Sequence, residues 1–181
     1  MIDAAIAEVI TYALGGAQNS QFTPAVYQCL RDEANKQQVS VLLAVSVMRQ
    51  ERGRIGTHSK NTNPSFDLGP MQVNSIHIDD LVRITKAPAG DVYRALRYDP
   101  CANIATGLWI LRRSINRAGD VWKGVAHYHS RTPSKGHPYA WKVYSRMNEI
   151  VSRMNPEAVQ QVLLPGGVLA ATFPQQYAYN R

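Results

Sequence analysis

No run of about 18 apolar residues occurs in this chain of 181 residues, so no segment reads as a helix that spans a membrane. Cysteine is scarce: Cys29 and Cys101 stand far apart, with no CxxC pair and no Cys/His cluster. His77, His127, His129 and His137 do not form an HExxH motif, so neither a metal nor another cofactor is expected. Ser130 lies beside His129 but lacks a nucleophile elbow, which argues against serine chemistry. Strand-like alternation is missing as well. Nearly every periodic segment repeats near 3.6 residues, which predicts a mainly α protein. Acidic residues are outnumbered by basic ones, 13 to 20, for a net charge of +7. The excess concentrates between Arg83 and Arg153, with 13 Lys or Arg against 4 Asp or Glu. A basic face suits nucleic acid, anionic lipid or an acidic cell-wall polymer. The charges are scattered singly, with Arg112-Arg113 the one adjacent pair in that segment, and nucleic acid is not the expected partner.

What is present divides into three parts: an N-terminal extension over 1–21, a central domain over 22–154, and a tail over 155–181. Residues 3–14 predict a short helix ended by Gly15-Gly16. Met1-Ile2-Asp3 has no positive charge and Glu8 interrupts the apolar stretch, which is not the pattern of a normal export signal. Thr23-Pro24 opens a second helix and Ser40 caps a third. In that third helix Leu43, Val47 and Glu51 recur at four-residue spacing, so Glu51 continues the apolar face. Residues 53–72 read as a long loop, a length often tied to function. Short helices follow over 76–81 and 88–96. Asp99-Pro100 starts an amphipathic helix through Ile115, whose central Gly107 implies close approach of a neighbouring helix. Asp120 caps the next helix, residues 130–137 read as a loop, and Pro138 opens a last helix to about Met154. The tail beyond Pro156 loses the pattern.

Glu51 is the first candidate for chemistry. A carboxyl at the rim of a core loses hydration, which raises its pKa and lets it donate a proton near neutral pH. Such a donor could assist glycosidic bond cleavage. The usual hydrolytic route needs a second carboxylate. Asp79 and Asp80 look like outer positions on a short helix, and Asp67, between Phe66 and Leu68, reads as a cap for loop amides. One acid without a nucleophilic partner is the better reading. Ser65, Gln72, Asn74, Tyr128 and Tyr139 are polar groups near element ends that could bind sugar hydroxyls or acetamido groups. The two cysteines read either as buried thiols or as a pair. Pairing would close a loop of more than 70 residues and contribute about 4 kcal/mol.

Glu51, then Ser65-x-Asp67-x-Gly69-x-Met71-Gln72-x-Asn74, resembles the pattern of the lysozyme-like soluble lytic transglycosylases. Asp99-Pro100-Cys101-Ala102-Asn103-Ile104, Gly107, Tyr128-His129-Ser130, Tyr139-Ala140 and Val143 resemble the branch serving type IV or type III secretion and conjugation systems. The resemblance spans about 22–150. It implies a lysozyme-like, goose-type helical domain with a long active-site loop, and Glu51 as the single catalytic acid/base. By the same resemblance, Ser65 would orient Glu51, and Met71, Gln72 and Asn74 would line sugar subsites. Tyr128 would close over the reacting sugar, Tyr139 would contribute to binding, and Asp67 and Gly69 would shape the loop. Cys29 would pair with Cys101. The implied partners are peptidoglycan, in the periplasm or cell envelope, and components of a secretion or conjugation machine, met by a protein acting as a monomer. Arg52 departs from the serine that many members carry after the catalytic glutamate; it would either hold the carboxylate charged or point to solvent.

Overall fold

The computed structural model describes residues 21–154, so the expected helix over 3–14 and the tail beyond Pro156 lie outside the described residues. Among the described residues seven α-helices dominate: α1 (Pro24–Lys36), α2 (Val41–Glu51), α3 (Ile78–Thr85), α4 (Ala89–Tyr98), α5 (Pro100–Ala118), α6 (Val121–His129) and α7 (Pro133–Val151). The expected class, a mainly α lysozyme-like domain, is the one observed.

The helix starts follow local chemistry. Ser40 Oγ accepts from the Leu43 amide, Asp99 from Cys101 and Ala102, and Asp120 from Lys123. Thr23 occupies the cap position of α1, but its hydroxyl makes no capping bond; Pro24 in the first turn fixes the start instead. Helix α2 is the centre of the domain. Its residues from Val41 to Met48 are all buried, so it is enclosed on every side rather than along one stripe. Helices α1 and α7 pack on it, α6 packs between α5 and α7, and α1 also packs on α5. The Cys29–Cys101 disulfide joins α1 to α5, with the two Cα atoms 5.8 Å apart.

Two expectations are corrected. The stretch 53–72 is not a continuous loop. Strands β1 (His58–Lys60), β2 (Phe66–Leu68) and β3 (Val73–Asn74) form a small antiparallel sheet in that order. His58 pairs with Leu68, and Asp67 pairs with Asn74. Strands of two or three residues are too short to carry an alternating pattern, and Gly and Pro at their ends mask them. The last helix starts at Pro133, not Pro138. Pro133 occupies its first turn, while Pro138 sits inside and removes only the bond to the Ser134 carbonyl. Gly136, which read as a loop residue, serves close packing: a Cβ there would lie 2.3 Å from the Ser130 carbonyl oxygen.

Gly107 has a different neighbour from the one expected. A Cβ on it would meet Met71 Sδ at 2.7 Å and Met71 Cβ at 2.8 Å. The side chain filling the notch comes from the sheet region and not from another helix. Met71 is fully buried there.

Candidate active site

Helix α2 ends at Glu51 because Arg52 turns into the left-handed region, with φ 54°, and its amide bonds back to Met48. The buried helix therefore delivers one carboxyl to the floor of a cleft of about 380 Å³. One wall is the small sheet and its turns, with Asn61, Thr62, Asn63, Asp67, Gln72 and Asn74. The other comes from α6 and the start of α7, with Tyr128, His129, Ser130 and Lys135. His77 and Ile110 complete the lining.

Burial pushes the Glu51 carboxyl up to about 7, from an ordinary value of 4.5. The Tyr139 hydroxyl donates to Glu51 Oε1 at 2.5 Å and opposes the rise, while the nearby charge of Asp67 adds to it. Near neutral pH this group exists in both protonation states, as a residue that gives and then retakes a proton requires. Arg52 is exposed and contributes nothing to the shift, so the solvent-facing reading of that residue holds.

The residues singled out from sequence divide by position. Gln72 and Asn74 line the cleft. Gln72 spans its floor, donating to the Gly69 carbonyl at 2.9 Å and accepting from Ser59 Oγ at 3.1 Å. Asn74 donates to Asp67 Oδ1 at 2.8 Å, and its own Oδ1 caps the turn at Ile76. Asp67 thus takes a side-chain amide rather than backbone amides, and it shares the cleft with Glu51. Tyr128 lines the cleft and is fixed by its hydroxyl, which donates to the Met71 carbonyl at 2.9 Å. Tyr139 is buried beneath it and reaches Glu51 directly.

Ser65 and Met71 are placed differently from their expected roles. Ser65 is buried in an amide network, donating to Asn63 Oδ1 at 2.6 Å and accepting from Asn61 at 3.0 Å and Asn74 at 3.3 Å. Its hydrogen bonds hold the sheet turn and not Glu51; Tyr139 is the group that orients the acid. Met71 lies under the cleft, with its side chain packed on Gly107 and only its carbonyl engaged by Tyr128. Gly69 adopts φ 63°, and a Cβ there would lie 2.4 Å from Asn103 Nδ2.

That contact exposes a residue to which sequence reasoning gave no role. Asn103 is fully buried on α5, donates to the carbonyls of Leu68 at 2.7 Å and Leu96 at 2.8 Å, and accepts from the Met71 amide at 2.8 Å. It satisfies the backbone of the turn that carries Gln72. A polar side chain one position before the buried Ile104 was the available signal. His129 was also missed as a cleft residue. Its ring stacks on Tyr139, with centroids 4.6 Å apart and planes 6° from parallel.

A helical domain that brings one desolvated acid beneath amide-bearing turns belongs, as a class, with the lysozyme-like proteins. The chain is a member of the transglycosylase SLT domain family, whose model matches residues 28–137. It is 32% identical over 123 residues to a peptidoglycan-binding-like protein of Escherichia coli O157:H7, covering 63% of this chain and 71% of that one. It is 29% identical over 118 residues to the invasion protein IagB of Salmonella typhi, covering 61% and 71%. Against the X polypeptide of Escherichia coli the identity is 30% over 89 residues, about half of each chain. The family supports a peptidoglycan-acting function of the lytic transglycosylase type in general.

Proposed function

We propose that this protein cleaves the β-1,4 bond between N-acetylmuramic acid and N-acetylglucosamine and leaves a 1,6-anhydromuramic end. The observation that carries the reading is the state of Glu51: a carboxyl held up to about 7 by burial and bonded to Tyr139. Protonated Glu51 gives its proton to the glycosidic oxygen as the bond to muramyl C1 breaks, so the leaving sugar departs with a free hydroxyl. The muramyl acetamido group stabilises the positive charge at C1. Glu51, now a carboxylate, takes the proton of the C6 hydroxyl as O6 closes on C1. The acid is regenerated and no water is consumed. The amides of Asn61, Asn63, Gln72 and Asn74 supply donors and acceptors for the sugars.

Asp67 supports a second reading. It shares the cleft with Glu51, so a lysozyme-type hydrolase, with water delivered to C1, uses the same residues. The mass of the muropeptides released by the purified protein separates the two, because the anhydro product lacks one water. If Glu51→Gln cleared peptidoglycan as fast as the parent, both readings would fail.

The setting belongs to the same proposal: local opening of the cell wall in the periplasm or envelope for a secretion or conjugation apparatus. Similarity to an invasion protein and the Cys29–Cys101 bond, at home in an oxidising compartment, favour it.

A further inference from the structure

Among the described residues, Lys135 is the single Lys or Arg in the lining of the cleft. It has no ion-pair partner among the described residues, although Glu51 and Asp67 line the same space. Its position works against the helix that carries it. Residue 135 lies in the first turn of α7, where the helix dipole disfavours a cation, and no acidic residue stands in that turn to offset it. The backbone beneath it is fixed. The amides of Lys135 and Gly136 both bond to the Thr132 carbonyl, at 2.9 and 2.8 Å. Gly136 lies against the Ser130 carbonyl so closely that no side chain would fit. The stem of Lys135 therefore starts from a rigid point on the rim, while its exposed head is free to meet a ligand.

Lys135 is not a counter-ion of the acid. The groups acting on Glu51 are its own burial, the Tyr139 hydroxyl and the Asp67 charge. On the sheet wall Asn61, Thr62, Asn63, Gln72 and Asn74 are neutral and suit the uncharged hydroxyls and acetamido groups of a sugar chain. An ammonium on the facing wall suits an anion carried outside the sugar ring. On a peptidoglycan strand those anions are the carboxylates of the peptide stem.

We infer that Lys135 is a specificity-determining residue that binds a stem-peptide carboxylate and selects glycan bearing charged stems. The inference rests on the peptidoglycan reading above. An exposed ion pair of this kind corresponds to an effect of up to about fivefold.

The test compares the parent, Lys135→Gln and Lys123→Gln on two substrates. One is native peptidoglycan; the other is the same material with its carboxylates converted to amides by carbodiimide coupling. Lys123 is exposed on α6 outside the cleft lining, so its variant removes the same charge elsewhere. The expected result is a KM raised about fivefold for Lys135→Gln on native material only, with Lys123→Gln following the parent on both substrates. An equal loss on both substrates, an equal loss in both variants, or no loss would overturn the assignment. Sedimentation with each peptidoglycan reads the same contrast without turnover. If the parent releases no products, the catalytic reading fails, and a binding preference for native material that disappears in Lys135→Gln still decides the role of Lys135.

Discussion

The hydroxyl of Tyr139 meets Glu51 Oε1 at 2.5 Å across a separation of 88 residues. The phenol donates better to a carboxylate than to a carboxylic acid, so this bond restrains a pKa that burial drives upward. Asp67 acts in the opposite sense.

Opposite shifts of the basic limb of activity follow. Tyr139→Phe removes the donor, so the limb moves above about 7; Asp67→Asn removes the repulsion, so it moves below. A pH profile of kcat for each variant checks the pair. Loss of all turnover in Asp67→Asn at every pH would favour the two-carboxylate hydrolase.

Stability should depend on pH through the same group. The folded value of Glu51 lies above its ordinary 4.5, so the native state holds a proton that the unfolded chain releases earlier. Its contribution is complete below about 4.5 and is lost as pH rises through about 7, on the order of 3 kcal/mol in all. Glu51→Gln cannot ionise. Denaturant unfolding at pH 5 and pH 8 should show the variant gaining on the parent at the higher pH.

Gly107→Ala places a methyl group against Met71 Sδ and Cβ. The expected loss is about 1–3 kcal/mol by overpacking, read as a lower Tm. Met71→Ala removes Sδ and Cε but keeps Cβ, so in a double-mutant cycle the two changes together should cost less than the sum of each alone.

Asn103→Leu removes one donor group and one acceptor from a buried site, so the Leu68 and Leu96 carbonyls and the Met71 amide lose their bonds to that side chain. A loss of about 2–4 kcal/mol is expected from the lost bonds. Hydrogen exchange at Met71 should accelerate in the variant.

Reduction of the Cys29–Cys101 bond, or its replacement by paired serines, should lower stability by up to about 4 kcal/mol, since the bond spans 72 residues. Denaturant titration with and without reductant measures it.

The helices and Glu51 were legible because Leu43, Val47 and Glu51 recur at helical spacing, although the burial of α2 extends all round it, and because Ser40, Asp99 and Asp120 cap by their own side chains. The sheet was not, since β3 has two residues and no room for a pattern. Pro138 was mistaken for a helix start because its missing amide is tolerated within the established turns of α7. In the cleft, Gln72 and Asn74 were visible as motif residues. The true partners of Ser65 and the burial of Met71 depend on contacts between distant segments. Lys135 and His129 sit beside an apparent loop, and only the path of α6 into α7 brings them into the lining of the cleft.

Met71 gives one residue two attachments: its side chain is seated in the notch at Gly107, and its carbonyl holds Tyr128 on the opposite wall. The floor and the aromatic wall are thus clamped by the same piece of backbone. On the proposed function, a glycan strand entering the cleft would meet walls whose spacing was set during folding, so little ordering of the protein would be left to oppose binding.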